Sequence, residues 1–162
     1  MASADFEALW RTHFRRVART AFLVTGDAQE AMDVAQEAFV RGLQHWRTVS
    51  KLERPEAWIH RVATNLAISE KRRRRPRPLV AEQVLLPSDP PDDELARALR
   101  SLTPAQRAVI AMRFYLDWPV DEVARALRKR PGTVRAPHAS GDGTTPRDLE
   151  QGAPRWLRTI RR

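Results

Sequence analysis

The sequence predicts an all-α protein with two small helical domains joined by a flexible linker. Apolar residues recur at helical spacing through residues 1–75 and again through 92–136, and no stretch shows the alternation of a strand. Between these blocks, residues 76–91 contain five prolines and little periodicity, which is typical of a linker. The tail, 137–162, is predicted to be mostly disordered, apart from a short helical turn at 156–160.

Three helices account for the first domain. Gly26 ends the first helix, and Asp27 and Glu30 form an Asp-x-x-Glu variant of the capping box that starts the second. Residues 47–54 form a loop, after which Pro55 suits the first turn of the third helix. The apolar stripes expected to form the core are Phe6, Leu9, Trp10, Phe14, Val17, Ala21 and Phe22 in the first helix, Ala31, Val34, Ala35, Ala38, Phe39 and Trp46 in the second, and Trp58, Ile59, Val62, Ala63 and Leu66 in the third.

The second domain has the pattern of a helix-turn-helix that is cut short. Thr103 and Pro104 open one helix, and a shorter helix from Val120 leads through a basic turn to the start of a recognition helix. From Pro137 onward the chain is rich in proline and glycine, which do not continue a helix cheaply. A recognition helix of about six residues is too short to be stable by itself. DNA reading by this helix is therefore expected to be weak or absent.

Composition favours a polyanionic partner and argues against several other classes of protein. The chain has 29 lysines and arginines against 20 acidic residues, a net charge of +9. It has no cysteine for disulfides or thiolate sites and no apolar run long enough for a membrane span, which suits a cytoplasmic protein. Its histidines lack metal-ligand spacing, and no phosphate-binding glycine motif is present. We therefore expect no metal, no other cofactor and no enzymatic activity.

A polar stripe on the third helix predicts a nucleic-acid surface. Arg61, Asn65 and Arg72 lie within a narrow arc beside the apolar stripe, where arginines can neutralise phosphates and the asparagine amide can reach a base edge. A solvated face with a charged end that suits the helix dipole is the alternative. The small polar loop between Trp46 and Trp58 has the character of a site for an unstacked base, although such tryptophans are more often core.

Two further sets of residues are candidate interaction sites. Opposite its core stripe, the second helix presents acidic groups and a valine, which is either a protein-docking surface or ordinary solvated surface; this set is Asp33, Gln36, Glu37 and Val40. In the second domain, backbone N–H groups at the start of the recognition helix can hold a phosphate, and Thr133 and Arg135 can reach base edges in a major groove.

Taken together, these segments resemble the extracytoplasmic-function (ECF) sigma factors of bacterial RNA polymerase, within the sigma-70 superfamily. Asp33, Gln36 and Glu37 match the Asp-x-x-Gln-Glu signature of region two. Trp58, Arg61, Ala63, Asn65 and the basic end that follows match the helix for promoter melting and minus-ten recognition. The segment from Leu99 to Ala136 resembles region four, which reads the minus-thirty-five element. The resemblance covers residues 5–75 and 94–136 and implies a region-two helical bundle over 1–75 and a region-four helix-turn-helix over 92–136.

By this resemblance, the partners are core RNA polymerase and promoter DNA. The clamp helices of the largest polymerase subunit would bind Asp33, Gln36, Glu37 and Val40, and the flap would be a second polymerase contact. The loop 47–54 would capture a flipped base. The residues implied in melting and reading the minus-ten element are Thr48, Ser50, Lys51, Trp58, Arg61, Asn65, Arg72 and Arg73. Those implied at the minus-thirty-five element are Arg130, Gly132, Thr133, Val134 and Arg135. Inhibitory anti-sigma factors are common in the family, so one is a candidate partner.

The chain departs from the family pattern at several positions. Ala35 stands where the family usually has leucine, and Pro119 and Arg130 replace the serine or threonine caps of the two region-four helices. Most importantly, the family continues past Val134 and Arg135 with two more helical turns, whereas here the sequence changes character at Pro137. A shifted reading frame in the gene would explain that change. A stand-alone helix-turn-helix regulator is the alternative function, and a nonfunctional remnant that still folds at its N-terminal half is a third.

Overall fold

The computed structural model describes residues 2–73 and 99–135, with side chains from residue 4 onward. Every regular element within these two ranges is a helix, which confirms the all-α fold. The chain divides into two units, Met1–Pro87 and Ser88–Arg162. The predicted linker, the predicted tail with its helical turn, and the residues from Ala136 onward lie outside the described residues.

Three long helices and one short one make up the first unit. The elements are α1 (Ala2–Thr25), α2 (Ala28–Gln44), α3 (Trp46–Val49) and α4 (Pro55–Arg73). Gly26 has a positive φ of 69°, a conformation that suits glycine, and it ends α1 as expected. The helices α1, α2 and α4 each pack against the other two, so the unit is a three-helix bundle with one shared core.

Aromatic side chains fill one end of this core. The ring of the fully buried Phe39 lies 4.9 Å from that of Trp10 and 5.8 Å from that of Phe14, measured between centroids. Phe6 stands edge-on to Trp46 at 5.2 Å. Trp46 is therefore core, but it does not extend the stripe of α2 as predicted, because α2 ends at Gln44 and Trp46 begins α3.

The buried face of α4 differs from the predicted stripe. Ile59 and Ala63 are fully buried as expected, whereas Trp58, Val62 and Leu66 are only half-buried. The positions that complete the buried face are His60, Thr64, Ala67 and Ile68. An apolar pattern could not reveal His60 and Thr64, since each is accommodated by hydrogen bonding: Thr64 Oγ1 donates to the His60 carbonyl at 2.8 Å, and Thr20 Oγ1 of α1 lies 3.2 Å from His60 Nδ1.

The second unit contains a shorter set of helices. These are α5 (Pro104–Ile110), a π-helical turn (Ala111–Tyr115), α6 (Val120–Leu127) and α7 (Pro131–Arg135). Thr103 caps α5 in a full capping box with Gln106. The core of this unit is formed by Ala108, Val109, Ile110, Met112, Trp118, Val123, Ala124, Leu127 and Val134. None of the helices described in either unit has the length and apolar character that a membrane span requires.

Candidate docking and nucleic-acid surfaces

The solvent-facing side of α2 carries the predicted docking residues together. Asp33, Gln36, Glu37 and Val40 are all exposed, while Val34, Ala35, Ala38 and Phe39 on the other side are buried. Leu43, one turn after Val40, is 55% exposed and extends the same stripe, and Val40 is itself 47% exposed. Sequence reasoning missed Leu43, although its spacing of three from Val40 could have indicated it. We call Asp33, Gln36, Glu37, Val40 and Leu43 the α2 outer face.

Hydrogen bonds along the helix hold the two carboxylates of the α2 outer face. Arg41 Nε donates to Glu37 Oε1 at 2.7 Å, and Gln29 Nε2 donates to Asp33 Oδ1 at 3.1 Å. Both are exposed contacts between residues one turn apart, and such pairs contribute little to stability. Their effect is to orient acidic groups around an apolar centre, an arrangement suited to a protein interface.

The predicted nucleic-acid residues of α4 share one exposed side of that helix. At 3.6 residues per turn, Trp58, Arg61, Asn65 and Arg72 fall within an arc of about 60°. Arg61, Asn65, Arg72 and Arg73 are exposed, and Trp58 is half-buried at the edge of the bundle. We call Trp58, Arg61, Asn65, Arg72 and Arg73 the α4 polar face.

The two tryptophans that flank the predicted loop have different environments. Trp46 is buried in the aromatic core, as described above. Trp58 instead lies against His45, with ring centroids 6.0 Å apart, and His45 Nδ1 is 2.9 Å from the Arg41 carbonyl oxygen at the end of α2. Because carbonyl oxygens only accept, this contact makes Nδ1 the protonated nitrogen of the His45 ring. Trp46 is therefore structural, while Trp58 belongs to the α4 polar face.

The segment predicted as a loop, 47–54, is helical in its first part. Helix α3 runs to Val49, whose side chain is 1% exposed and anchors the segment to the bundle. Backbone hydrogen bonds from Lys51 N to Thr48 O (3.2 Å) and from Leu52 N to Val49 O (3.1 Å) close the turn that follows. The predicted base-capturing residues Thr48, Ser50 and Lys51 are all exposed on this anchored turn.

An ion pair fixes the basic end of α4. Lys71 Nζ lies 2.9 Å from Glu30 Oε2, a contact that has the distance of an ion pair without the alignment of a hydrogen bond. The predicted capping box is therefore only half correct. Asp27 does cap α2, accepting from the Glu30 backbone N–H at 2.8 Å, but the Asp27 N–H donates to Thr25 Oγ1. The Glu30 side chain is thereby left to reach α4.

In the second unit, most of the predicted DNA-reading residues are on the surface. Arg130, Gly132, Thr133 and Arg135 are exposed, whereas Val134 is 2% exposed and packs α7 into the core. A role for Val134 in direct DNA contact does not fit this burial. The Arg130 backbone carbonyl accepts from Thr133 N at 3.0 Å, and the side chain, which has only donors, cannot cap the helix as serine or threonine would. Pro119 likewise makes no side-chain cap at α6.

Within the described ranges, no group of three or more histidine, aspartate or glutamate side chains is arranged to hold a metal ion. The chemistry offered by these surfaces is that of binding. Acidic and apolar groups lie on the α2 outer face, and cationic, amide and aromatic groups lie on the α4 polar face.

Comparison with known proteins identifies the family. The family model described as Sigma-70 region 2 matches residues 9–77, and that described as Sigma-70, region 4 matches residues 92–136. Among curated proteins, the chain is similar to the ECF RNA polymerase sigma factor SigL of Mycobacterium tuberculosis, at 34% identity over 146 residues, which is 83% of this chain and 82% of the relative.

Two more similar proteins are also sigma factors by name. The RNA polymerase sigma-E factor of Streptomyces coelicolor is 30% identical over 141 residues, covering 82% of this chain and 78% of its own. The ECF RNA polymerase sigma factor SigE of Mycolicibacterium smegmatis is 32% identical over 127 residues, covering 68% of this chain and 48% of that relative. The chain therefore belongs to the sigma-70 family, in its ECF group, whose members direct RNA polymerase to promoters.

Proposed function

We propose that the first unit carries both activities of this sigma factor, with the α2 outer face docking on core RNA polymerase and the α4 polar face opening and reading the minus-ten element. The observation that supports this division most directly is that the two faces lie on different helices of one tightly packed bundle. A polymerase bound to α2 would therefore hold the DNA-binding side chains of α4 at a fixed position relative to its own active centre. No catalytic group of the sigma factor takes part.

For docking, the proposed partner surface is the pair of clamp helices of the largest polymerase subunit. Val40 and Leu43 provide an apolar centre, and Asp33 and Glu37 provide acidic groups for a basic partner. Burying an exposed leucine or valine contributes on the order of 1.5–3 kcal/mol, whereas charges at the rim mainly set orientation and association rate. Gln36 lies in the same stripe and adds an amide that can hydrogen-bond the partner's backbone.

For strand opening, the proposed mechanism is capture of unstacked bases. Unstacking a base costs a few kcal/mol, and stacking on an aromatic ring returns about 1–3 kcal/mol per base. Trp58 offers such a ring, and the nearby turn with Thr48, Ser50 and Lys51 offers hydroxyl and ammonium groups for a flipped base. Asn65, which is exposed, would read a base edge, and the exposed arginines of the α4 polar face would bind phosphates.

For the second unit we propose weak recognition of the minus-thirty-five element. Arg130, Gly132, Thr133 and Arg135 would make the contacts, on a helix that the structure describes from Pro131 to Arg135. The proposed domain boundaries are 1–75 for region two, 76–91 for the linker, 92–136 for region four and 137–162 for an atypical tail. The flap is a proposed further polymerase contact, an anti-sigma factor is a proposed inhibitor, and the bacterial cytoplasm is the proposed location. The stand-alone regulator is not favoured, because such a protein has no need of region two.

The two proposed faces can be separated by experiment. Val40→Asp should abolish co-purification with core polymerase, since it places a charge in the apolar centre of the docking face. Asn65→Ala should retain co-purification but reduce permanganate reactivity of thymines in the promoter, since it touches only the strand-reading face. Thr12→Ala, an exposed change on α1, serves as the control. If Asn65→Ala opens promoters as well as the unmodified chain does, or Val40→Asp still binds core polymerase, the division of roles is wrong.

A further inference from the structure

The solvent-facing side of α1 carries a concentration of arginines that neither proposed surface includes. After Glu7, the helix has four arginines and no acidic residue up to its end at Thr25. Arg11, Arg15 and Arg19 recur every four residues, so they form a row along one side, and Arg16 lies next to that row. Arg11 forms an ion pair with Glu7, at the N-terminal part of the helix. Arg15, Arg16 and Arg19 lie nearer than Arg11 to Thr20, where α1 contacts α4, and are here called the α1 arginine face; Arg15 and Arg16 are exposed and Arg19 is half-buried.

The packing of α1 on α4 puts this face beside the DNA-facing side of α4. Thr20 Oγ1 lies 3.2 Å from His60 Nδ1, which fixes the register of the two helices at this point. Arg16 is one helical turn before Thr20, and Arg61 directly follows His60. Both arginines are exposed, and the charge of Arg16 is close enough to act on His60 across the contact between α1 and α4. Burial, together with the positive charges of Arg16, His13 and Arg54, lowers the pKa of His60 to about 3, which agrees with cationic groups gathering here.

We propose that the α1 arginine face is a second phosphate-binding surface, which holds the backbone of double-stranded promoter DNA next to the segment opened on α4. This inference rests on the proposed role of the α4 polar face and extends it across the helix interface. Phosphates are the occupant that this chemistry favours, because guanidinium groups present forked donors that match phosphate oxygens. A protein partner fits less well, since the exposed large apolar side chains found in the described residues are Val40, Leu43 and Leu52, none of them on α1.

Salt dependence of promoter binding tests this surface. The logarithm of the binding constant falls linearly with the logarithm of the salt concentration, and each lost phosphate contact makes this slope less steep by about 0.9. At 0.1 M salt, the same loss lowers the affinity roughly five- to ten-fold. We expect Arg19→Gln, in holoenzyme reconstituted with core polymerase, to show that change on a promoter duplex. Arg11→Gln removes the same charge from the same helix, about 12 Å away along its axis, and should leave the slope unchanged. Arg19→Lys should preserve the slope, because a lysine still supplies the point charge.

Core-polymerase binding measured on each variant shows that the fold is intact, and the exposed Arg15→Gln is the substitute if Arg19→Gln does not fold. The proposal would be overturned if Arg19→Gln and Arg15→Gln both gave the same salt slope as the unmodified chain. An equal change of the salt slope in Arg11→Gln would also overturn it, because such a change would reflect net charge alone. Failure of the proposed function is distinguishable, since in that case the unmodified chain itself would not bind core polymerase or open DNA.

Discussion

Lys71 Nζ lies 2.9 Å from Glu30 Oε2, and this ion pair joins the start of α2, the proposed docking helix, to the basic end of α4, the proposed DNA-binding helix. Both side chains are mostly shielded from solvent, with exposures of 20% for Lys71 and 9% for Glu30. The pair therefore ties together the two helices that carry the proposed surfaces, while Arg72 and Arg73 stay exposed at the end of α4.

Removing one partner of this pair should destabilise the first unit. Lys71→Met leaves the Glu30 carboxylate shielded from water without its cation, and because the pair is only partly buried we expect a loss of about 1–3 kcal/mol. Urea denaturation followed by circular dichroism measures this loss. The exposed pair Glu37–Arg41 provides the comparison, since breaking it with Arg41→Met should cost under about 1 kcal/mol. Equal costs at the two sites would show that burial of the Glu30–Lys71 pair has no energetic consequence.

Protonation of His60 should couple stability to pH. The side chain is 3% exposed, and burial, together with the positive charges of Arg16, His13 and Arg54, lowers its pKa from the ordinary 6.5 to about 3. Between these two values the unfolded chain holds a proton that the folded chain does not. The contribution of His60 to the free energy of unfolding is therefore fully present above about pH 6.5. As the pH decreases from 6.5 toward 3, this group lowers the free energy of unfolding by about 1.4 kcal/mol per pH unit.

The variant His60→Gln isolates that contribution. It should be less stable at pH 7, because it disturbs the contact with Thr20, but its stability should depend less on pH between 6.5 and 4. Urea denaturation of both proteins at several pH values in this window gives the two curves. Parallel curves would mean that His60 is already protonated in the folded bundle.

A glycine at position 128 should stabilise the second unit. Arg128 ends α6 with a φ of 52° and a ψ of 46°, in the left-handed region that glycine adopts at little cost. We expect Arg128→Gly to raise the free energy of opening of α6 by about 0.5–1 kcal/mol, as measured by hydrogen exchange of its amides. Arg125→Gly, within the same helix, should lower it by about 1 kcal/mol. A loss of protection in Arg128→Gly would show that the arginine side chain contributes more than the backbone strain costs.

The sequence predicted those features of the fold that depend on local pattern. Helical spacing, Gly26 and Asp27 indicated α1, α2 and the break between them, because a single stripe or cap determines each. The partners of Glu30, His60 and Thr20 could not be predicted, since those contacts join residues 40 or more positions apart. Short α3 escaped prediction because its two buried residues, Trp46 and Val49, are too few to show a helical stripe.

The candidate surfaces, like the fold, could be predicted where they depend on local pattern and not where they depend on contacts between helices. The exposed stripes of α2 and α4 followed from helical periodicity alone, because opposite sides of a helix are fixed by spacing. Assignment of Trp46 to the core and Trp58 to the edge of the bundle required the structure, because helical spacing placed both of them in apolar stripes. The four-residue spacing of the α1 arginines is visible in the sequence, but their position beside α4 required the register of α1 on α4.

Footprinting of holoenzyme reconstituted from core polymerase and the full chain tests the central claim most directly. We predict permanganate-reactive thymines in the minus-ten region of a promoter, which report single-stranded DNA, together with little protection around the minus-thirty-five element. Reactivity that requires this chain and is lost in Asn65→Ala would support region two as the strand-opening unit. A promoter that remains fully double-stranded, or strong upstream protection with no melting, would contradict it.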